Sequence, residues 1–203
     1  HIPMVPADGD GNADWKNGIG AGPYRLTSFS AGVGAELVKH DGWHGQGAWF
    51  DAVELVAIND LADFNVLAHL LAFDTTHGRW PSSVHYDGDA MEIDGRRVPC
   101  YATTDLDQLP WGEHSVDLVL ECSGRYKQHA QLQGHLDAGA RRVLVSYPVD
   151  DADAMVVYGV NHGLLDDSQQ IVSNASCTTN CLAPLVDVLD RAFTVKQGLM
   201  TTI

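Results

Sequence analysis

Ser173-Asn174-Ala175-Ser176-Cys177-Thr178-Thr179-Asn180-Cys181 separates the apolar segment Gln170-Ile171-Val172 from a run in which Leu182, Leu185, Val186, Leu189 and Phe193 fall at helical spacing. The pattern predicts a strand, a turn and an amphipathic helix. Pro184 fits only because it falls in the first turn, where its missing N–H has no partner to lose. Cys177 then sits at or next to the helix N-terminus, where unpaired N–H groups and the macrodipole favour an anion. A thiolate there is a nucleophile at neutral pH. The alternative, a cysteine acting as a small buried hydrophobe, is expected for Cys100, Cys122 and Cys181 but not for Cys177.

Working outward, the chain alternates strand and helix. Residues 53–58, 116–120, 142–146 and 155–158 read as short apolar strands, and 62–72 and 126–138 as helices, the second stopping at Gly139. Asp87-Gly88 and Asp94-Gly95 are turn dipeptides between short strands. The alternation predicts an α/β fold with a mostly parallel sheet covered by helices. In such sheets ligands lie at the carboxyl ends of strands. Asn59-Asp60 ends the first of these strands, so its carboxylate is placed to accept hydrogen bonds from a ribose and to repel a 2′-phosphate. Taken alone, an Asp there is more often a turn residue or helix cap.

The bulk properties exclude several classes. With 27 acidic and 12 basic residues the 203-residue chain carries a net charge of −15, which argues against nucleic acid and anionic membranes as partners. Its four cysteines lack the spacing of a disulfide framework, so a reducing cytoplasm is the simpler compartment. Cys177 and Cys181 are not completed to a metal site by any His or Cys cluster, and no apolar run approaches the ~20 residues of a transmembrane helix.

The segment from Ser173 to Pro184 resembles the active-site signature of phosphorylating glyceraldehyde-3-phosphate dehydrogenases and their relatives, the erythrose-4-phosphate dehydrogenases. The resemblance extends from about Val53 to Ile203. It includes Val-Ala-Ile-Asn-Asp-Leu at 56–61, Asp-Thr-Thr-His-Gly-Arg-Trp at 74–80, Leu-Pro-Trp-Gly-Glu at 109–113, Val-Leu-Glu-Cys-Ser-Gly-Arg at 119–125 and Val-Val-Tyr-Gly-Val-Asn-His at 156–162. It implies an NAD-binding Rossmann-like domain over 53–198, incomplete for want of its first βα unit, and the start of a catalytic domain at 199–203. It implies Cys177 as nucleophile toward a phosphorylated aldehyde, Ser176 and Thr178 as phosphate ligands, and Asn59, Asp60, Arg79, Ser123 and Gly124 at the cofactor, with Arg79 near the adenine. Inorganic phosphate would be the second substrate, and a homo-oligomer the expected state. Asp60 and Leu182-Ala183-Pro184 lean toward glyceraldehyde 3-phosphate over erythrose 4-phosphate. In the family the base is a histidine directly after the strand that here is Met200–Ile203. None of the ten histidines present holds that place, so these residues alone are expected to turn over poorly.

The first fifty residues read differently. Gly18-Ile19-Gly20-Ala21-Gly22-Pro23 fails as a dinucleotide turn, because Pro23 stands where the third glycine is needed and the polar segment Asp8–Lys16 cannot be a central strand. Asp8–Asp14 lacks the glycine and glutamate of a calcium loop. Instead Gly20-Ala21-Gly22-Pro23-Tyr24-Arg25-Leu26, with Gly45-Gln46-Gly47-Ala48-Trp49-Phe50-Asp51, is similar to solute-binding proteins of peptide-type ABC transporters. That similarity makes 1–52 a non-Rossmann segment, the chain a possible chimera, and a solute-binding module the competing function.

Overall fold

Four short strands and one helix surround Phe64 in the first of two compact units, the chain dividing between them after Ala102. The computed structural model describes residues 24–30, 34–39, 54–74, 78–80 and 83–202. The solute-binding resemblance, the glycine run at 18–23 and the acidic stretch at 8–14 fall outside these residues, except for two strands. β1 (Tyr24–Ser30) and β2 (Gly34–Lys39) form an antiparallel hairpin whose register shifts between Leu26 and Ser28.

β3 (Ile58–Asn59) leads to α1 (Phe64–Ala72), then to the two-residue strands β4 (Phe73–Asp74) and β5 (Gly78–Arg79). β6 (Val84–Tyr86), β7 (Ala90–Ile93) and β8 (Arg96–Tyr101) follow, and the sheet order is β3-β8-β7-β6. Asp63 starts α1 by accepting from the Asn65 amide at 2.8 Å, and that bond holds its carboxyl below the usual range. Phe64, Ala68 and Met91 form the core, with the Phe64 and Tyr86 rings 5.3 Å apart.

Only β3 runs parallel to its neighbour here; β6, β7 and β8 are antiparallel. The cause is the connection length. Asp94 and Gly95 both take positive φ, 56° and 76°, which is the two-residue turn that joins antiparallel strands directly. The expected strand over 53–58 is shorter than its apolar pattern suggests, because only Ile58 and Asn59 pair with β8, at Cys100 and Tyr101.

The second unit is the parallel sheet. β9 (Leu118–Glu121), α2 (His129–Asp137) and β10 (Arg142–Val145) make one crossover, and β11 (Ala154–Met155) and β12 (Ile171–Ser173) complete the order β11-β12-β10-β9. Val119, Val143, Val145 and Ile171 alternate inward beneath Leu132 of α2, while Leu120 on the opposite face is 62% exposed. α3 (Cys177–Phe193) follows β12. The mixed α/β architecture, with this parallel sheet, is the partial Rossmann-like fold read from the sequence. One expectation is corrected: residues 199–202 are not a strand, and Leu199 is 97% exposed. A strand needs a neighbour to satisfy its backbone, and the pairings among the described residues give it none.

α2 ends in a Schellman motif. The Gly139 amide donates to Leu136 O at 2.9 Å, and the Ala140 amide to His135 O at 3.1 Å. Gly139 has φ 103°, and a Cβ there would lie 2.6 Å from Gly112 Cα and 2.7 Å from Gly112 N. Both conformation and space therefore demand glycine. Gly139→Ala is expected to destabilise by at least ~2 kcal/mol, read as a lowered urea midpoint with unchanged slope. A midpoint equal to that of the parent would refute this account of the cap.

Candidate active site

Cys177 is the first residue of α3 and its thiol is exposed. Ser176 is the N-cap, in extended conformation (φ −91°, ψ 161°), and its Oγ accepts from the Thr179 amide at 3.0 Å. The same oxygen lies 3.0 Å from Thr178 Oγ1 and 2.7 Å from Thr179 Oγ1. Capping therefore engages Ser176, and its cluster with two threonine hydroxyls leaves three O–H groups beside the thiol. Asn180 fixes the turn from the helix side: its Nδ2 donates to Asn174 O at 2.7 Å and Ser176 O at 3.0 Å. Asn174 N donates to Val145 O at 2.8 Å, continuing the β10–β12 ladder one residue into the turn.

Between strand and cap the chain must reverse sharply, and Ala175 absorbs the reversal. It is buried and left-handed, with φ 56°. For a residue with a Cβ that conformation costs about 1–2 kcal/mol, so the surroundings must hold it. The strained residue thus stands two positions before the exposed Cys177 thiol.

The second loop follows β9. Gly124 takes φ 69°, with open space where a Cβ would stand, so its bare backbone is accessible to a ligand beside Ser123. Glu121 holds this loop from below. The carboxylate is only 6% exposed and accepts from the Ser123 amide at 2.7 Å through Oε1. His135, 3% exposed, places Nε2 at 3.2 Å from Oε2. Trp111 Nε1, which can only donate, lies 3.0 Å from His135 Nδ1. Nδ1 must accept, so the imidazole proton is on Nε2 and points at Glu121. Burial disfavours the Glu121 charge, yet the bonds from His135 and Ser123 outweigh it and hold the carboxyl below its usual range. Tyr147 OH reaches Glu121 Oε1 at 3.4 Å. Burial first, and then the Glu121 charge, push the Tyr147 phenol up to about 12.

In the first unit Asn59 and Asp60 stand at the end of β3. Asp60 accepts from the Ala62 amide at 2.8 Å, and its own amide donates to Tyr101 O at 3.0 Å. The guanidinium of Arg79 lies 5.1 Å from the centre of the Phe73 ring. The fold thus brings Ser176, Cys177 and Thr178 together, and separately Ser123 with Gly124, and Asn59 with Asp60. The cysteine expectations need correcting. Cys122 and Cys181 are exposed rather than buried, because β9 ends at Glu121 and Cys181 lies on the open side of α3. Cys100 is half-buried, and that burial raises its thiol pKa. Glu121 and Ser173 entered the sequence reading only inside quoted motifs, and the buried contacts of Glu121, His135 and Ser173 were not foreseen. The available signal was a lone carboxylate in an apolar strand, which demands a partner.

The parallel sheet thus carries a glycine-opened loop at one strand end and an exposed cysteine at a helix N-terminus. The comparisons with known proteins give the family. Residues 48–129 match the glyceraldehyde 3-phosphate dehydrogenase NAD binding domain, and 176–203 match the C-terminal domain of the same enzymes. The chain is 47% identical over 161 residues to the plasmid glyceraldehyde-3-phosphate dehydrogenase of Cupriavidus necator, covering 79% of this chain and 48% of that protein. It is 50% identical over 153 residues to that of Mycobacterium bovis, covering 74% and 45%. From residue 48 onward the chain belongs to the glyceraldehyde 3-phosphate dehydrogenase family of NAD-linked oxidoreductases. It spans about half the length of the curated relatives it matches.

Proposed function

We propose that the chain carries the nucleophile and part of the NAD site of a glyceraldehyde-3-phosphate dehydrogenase acting in the cytoplasm. The observation that carries this reading is the exposed Cys177 thiol at the start of α3, on a turn held from both sides. The thiolate Sγ adds to the aldehyde carbon, the carbonyl π pair moves to oxygen, and that oxygen takes up a proton to give a thiohemiacetal. The first amides of α3 are donors suited to the developing oxyanion. NAD, when bound, supplies the acceptor for the hydride. Removal of the hydroxyl proton leaves a thioester on Cys177; attack by inorganic phosphate breaks the C–S bond and regenerates the thiolate. Ser176 and Thr178 would hydrogen-bond phosphate oxygens.

The residues present fit the cofactor at two places. Asn59 and Asp60 would take the ribose hydroxyls, with Arg79 by the adenine, and Ser123-Gly124 would let a ligand lie against backbone. Asp60 disfavours a 2′-phosphate, and with Leu182-Ala183-Pro184 it favours the three-carbon substrate over the erythrose one. A base is still required. His129 is committed to Asp153 at 3.1 Å, His135 to Glu121, and His162 Nδ1 to the Gly159 amide at 2.9 Å. We therefore expect slow turnover by these residues alone. We take 1–52, 53–198 and 199–203 as separate segments and a homo-oligomer as the working assembly. Among the described residues no helix is long and apolar enough to cross a membrane.

The test is protection of Cys177. Glyceraldehyde 3-phosphate at millimolar concentration should slow iodoacetamide labelling of Cys177 while leaving Cys181 unaffected, and unphosphorylated glyceraldehyde should protect far less. Equal protection by both aldehydes would remove phosphate recognition from the reading, and none by either would remove the reading itself.

A further inference from the structure

We infer that Ser173 is a positioning residue for the Cys177 thiol, acting through the left-handed turn at Ala175. The inference rests on Cys177 being the nucleophile, but its geometry is independent of the substrate. Ser173 closes β12 and is completely buried. A serine hydroxyl offers one donor and two acceptor sites, and here all three are used. Its Oγ donates to Tyr147 O at 2.8 Å and accepts from Val149 N at 3.3 Å and Ala175 N at 3.2 Å. The Ala175 bond fixes the amide of the residue whose φ is 56°, and the other two tie that amide to the segment following β10. One residue on, Ser176 caps α3, and two residues on, Cys177 begins it. The Ser173 backbone keeps its sheet role separately, with its carbonyl accepting from Val156 N at 2.8 Å. The hydroxyl thus serves the turn and the carbonyl serves the sheet. Without the hydroxyl, Ala175 has reason to relax toward negative φ, which re-aims the first turn of α3 and the thiol with it.

The experiment labels the full chain with iodoacetamide at pH 7 and follows Cys177 and Cys181 separately by peptide mass spectrometry. Ser173→Ala is expected to slow Cys177 on the order of tenfold, as a misplaced reacting group does, with Cys181 unchanged. Adding Ala175→Gly, which adopts positive φ without a steric penalty, is expected to restore Cys177 to within about threefold of the parent. The melting temperature should stay low in both variants, because the buried partners of the hydroxyl remain unmet. A role in packing alone predicts lowered melting with no change in the Cys177 rate, or no rescue by glycine; either result overturns the inference. Should neither variant fold, hydrogen exchange on the parent decides. The amides of Ala175 and Val149 should be protected like those of β12, and exchange as fast as an open loop would refute the inference. The parent ratio of Cys177 to Cys181 labelling tests the nucleophile reading itself, so the two failures are distinguishable.

Discussion

Cys177→Ser is expected to abolish the fast thiol of this protein and reduce any NAD-dependent aldehyde oxidation by at least ~10³-fold. The parent should show one cysteine labelled by iodoacetamide at pH 7 at least about tenfold faster than free cysteine. Exposure alone does not create this difference, since Cys122 and Cys181 are exposed as well. What distinguishes Cys177 is place. It is the first residue of a 17-residue helix, at the positive end of the helix dipole. Cys181 sits one turn further in, where the amides are already bonded along the helix. Serine preserves the geometry and removes the reactivity, so the substitution separates chemistry from structure. A fast phase that survives Cys177→Ser would move the nucleophile elsewhere and remove the central argument.

The strand, turn and helix around Cys177 were legible because each left a local signature: a short apolar strand, hydroxyl residues at the cap, and a 3.6-residue stripe. The placing of Pro184 in the first turn is corrected: α3 starts at Cys177, so Pro184 lies inside the helix, where its missing N–H removes one bond of the ladder. Ser176 was read through the family resemblance as a phosphate ligand, and the structure shows it capping α3, with its Oγ accepting from the Thr179 amide. The supports were not legible, because they depend on contacts distant in sequence. Ser173 meets Tyr147 and Val149 from 26 and 24 residues away, and Glu121 meets His135 across 14. No periodicity reports such pairs. The antiparallel run β6–β8 was half legible: its Asp-Gly turns were read, but not their consequence for strand direction. The strand at the end of the chain was expected from the family resemblance alone, and a resemblance cannot supply the neighbouring strand that 199–202 lack among the described residues.

Removing the Glu121 carboxylate should be the most damaging change to stability, and it should matter little whether alanine or glutamine replaces it. Three donors converge on this buried group: the Ser123 amide and, more distantly, Tyr147 OH at Oε1, and His135 Nε2 at Oε2. Trp111 fixes the direction of the His135 bond, because an indole N–H cannot accept and so leaves Nδ1 no proton to carry. Glutamine offers one acceptor and one donor. Whichever way its amide turns, an NH₂ faces an N–H, and a tautomer switch at His135 only moves the conflict to Trp111. Glu121→Ala and Glu121→Gln are each expected to cost about 3 kcal/mol or more, within the range for breaking a buried pair. The pH dependence follows from the same contacts. The Glu121 carboxyl lies below its ordinary value of 4.5 in the folded protein, so the unfolded chain binds the proton first as pH falls. The stabilisation is complete above that ordinary value and is lost as pH drops through the lower, folded one. Asp63 and Asp153 are lowered as well and slope the same way, so both variants should flatten the acid limb of stability against pH without abolishing it. Urea titrations from pH 7 down to pH 3 measure both effects. A glutamine variant as stable as the parent would mean that His135 does not donate to Glu121, and the fixed proton at this loop would have to be abandoned.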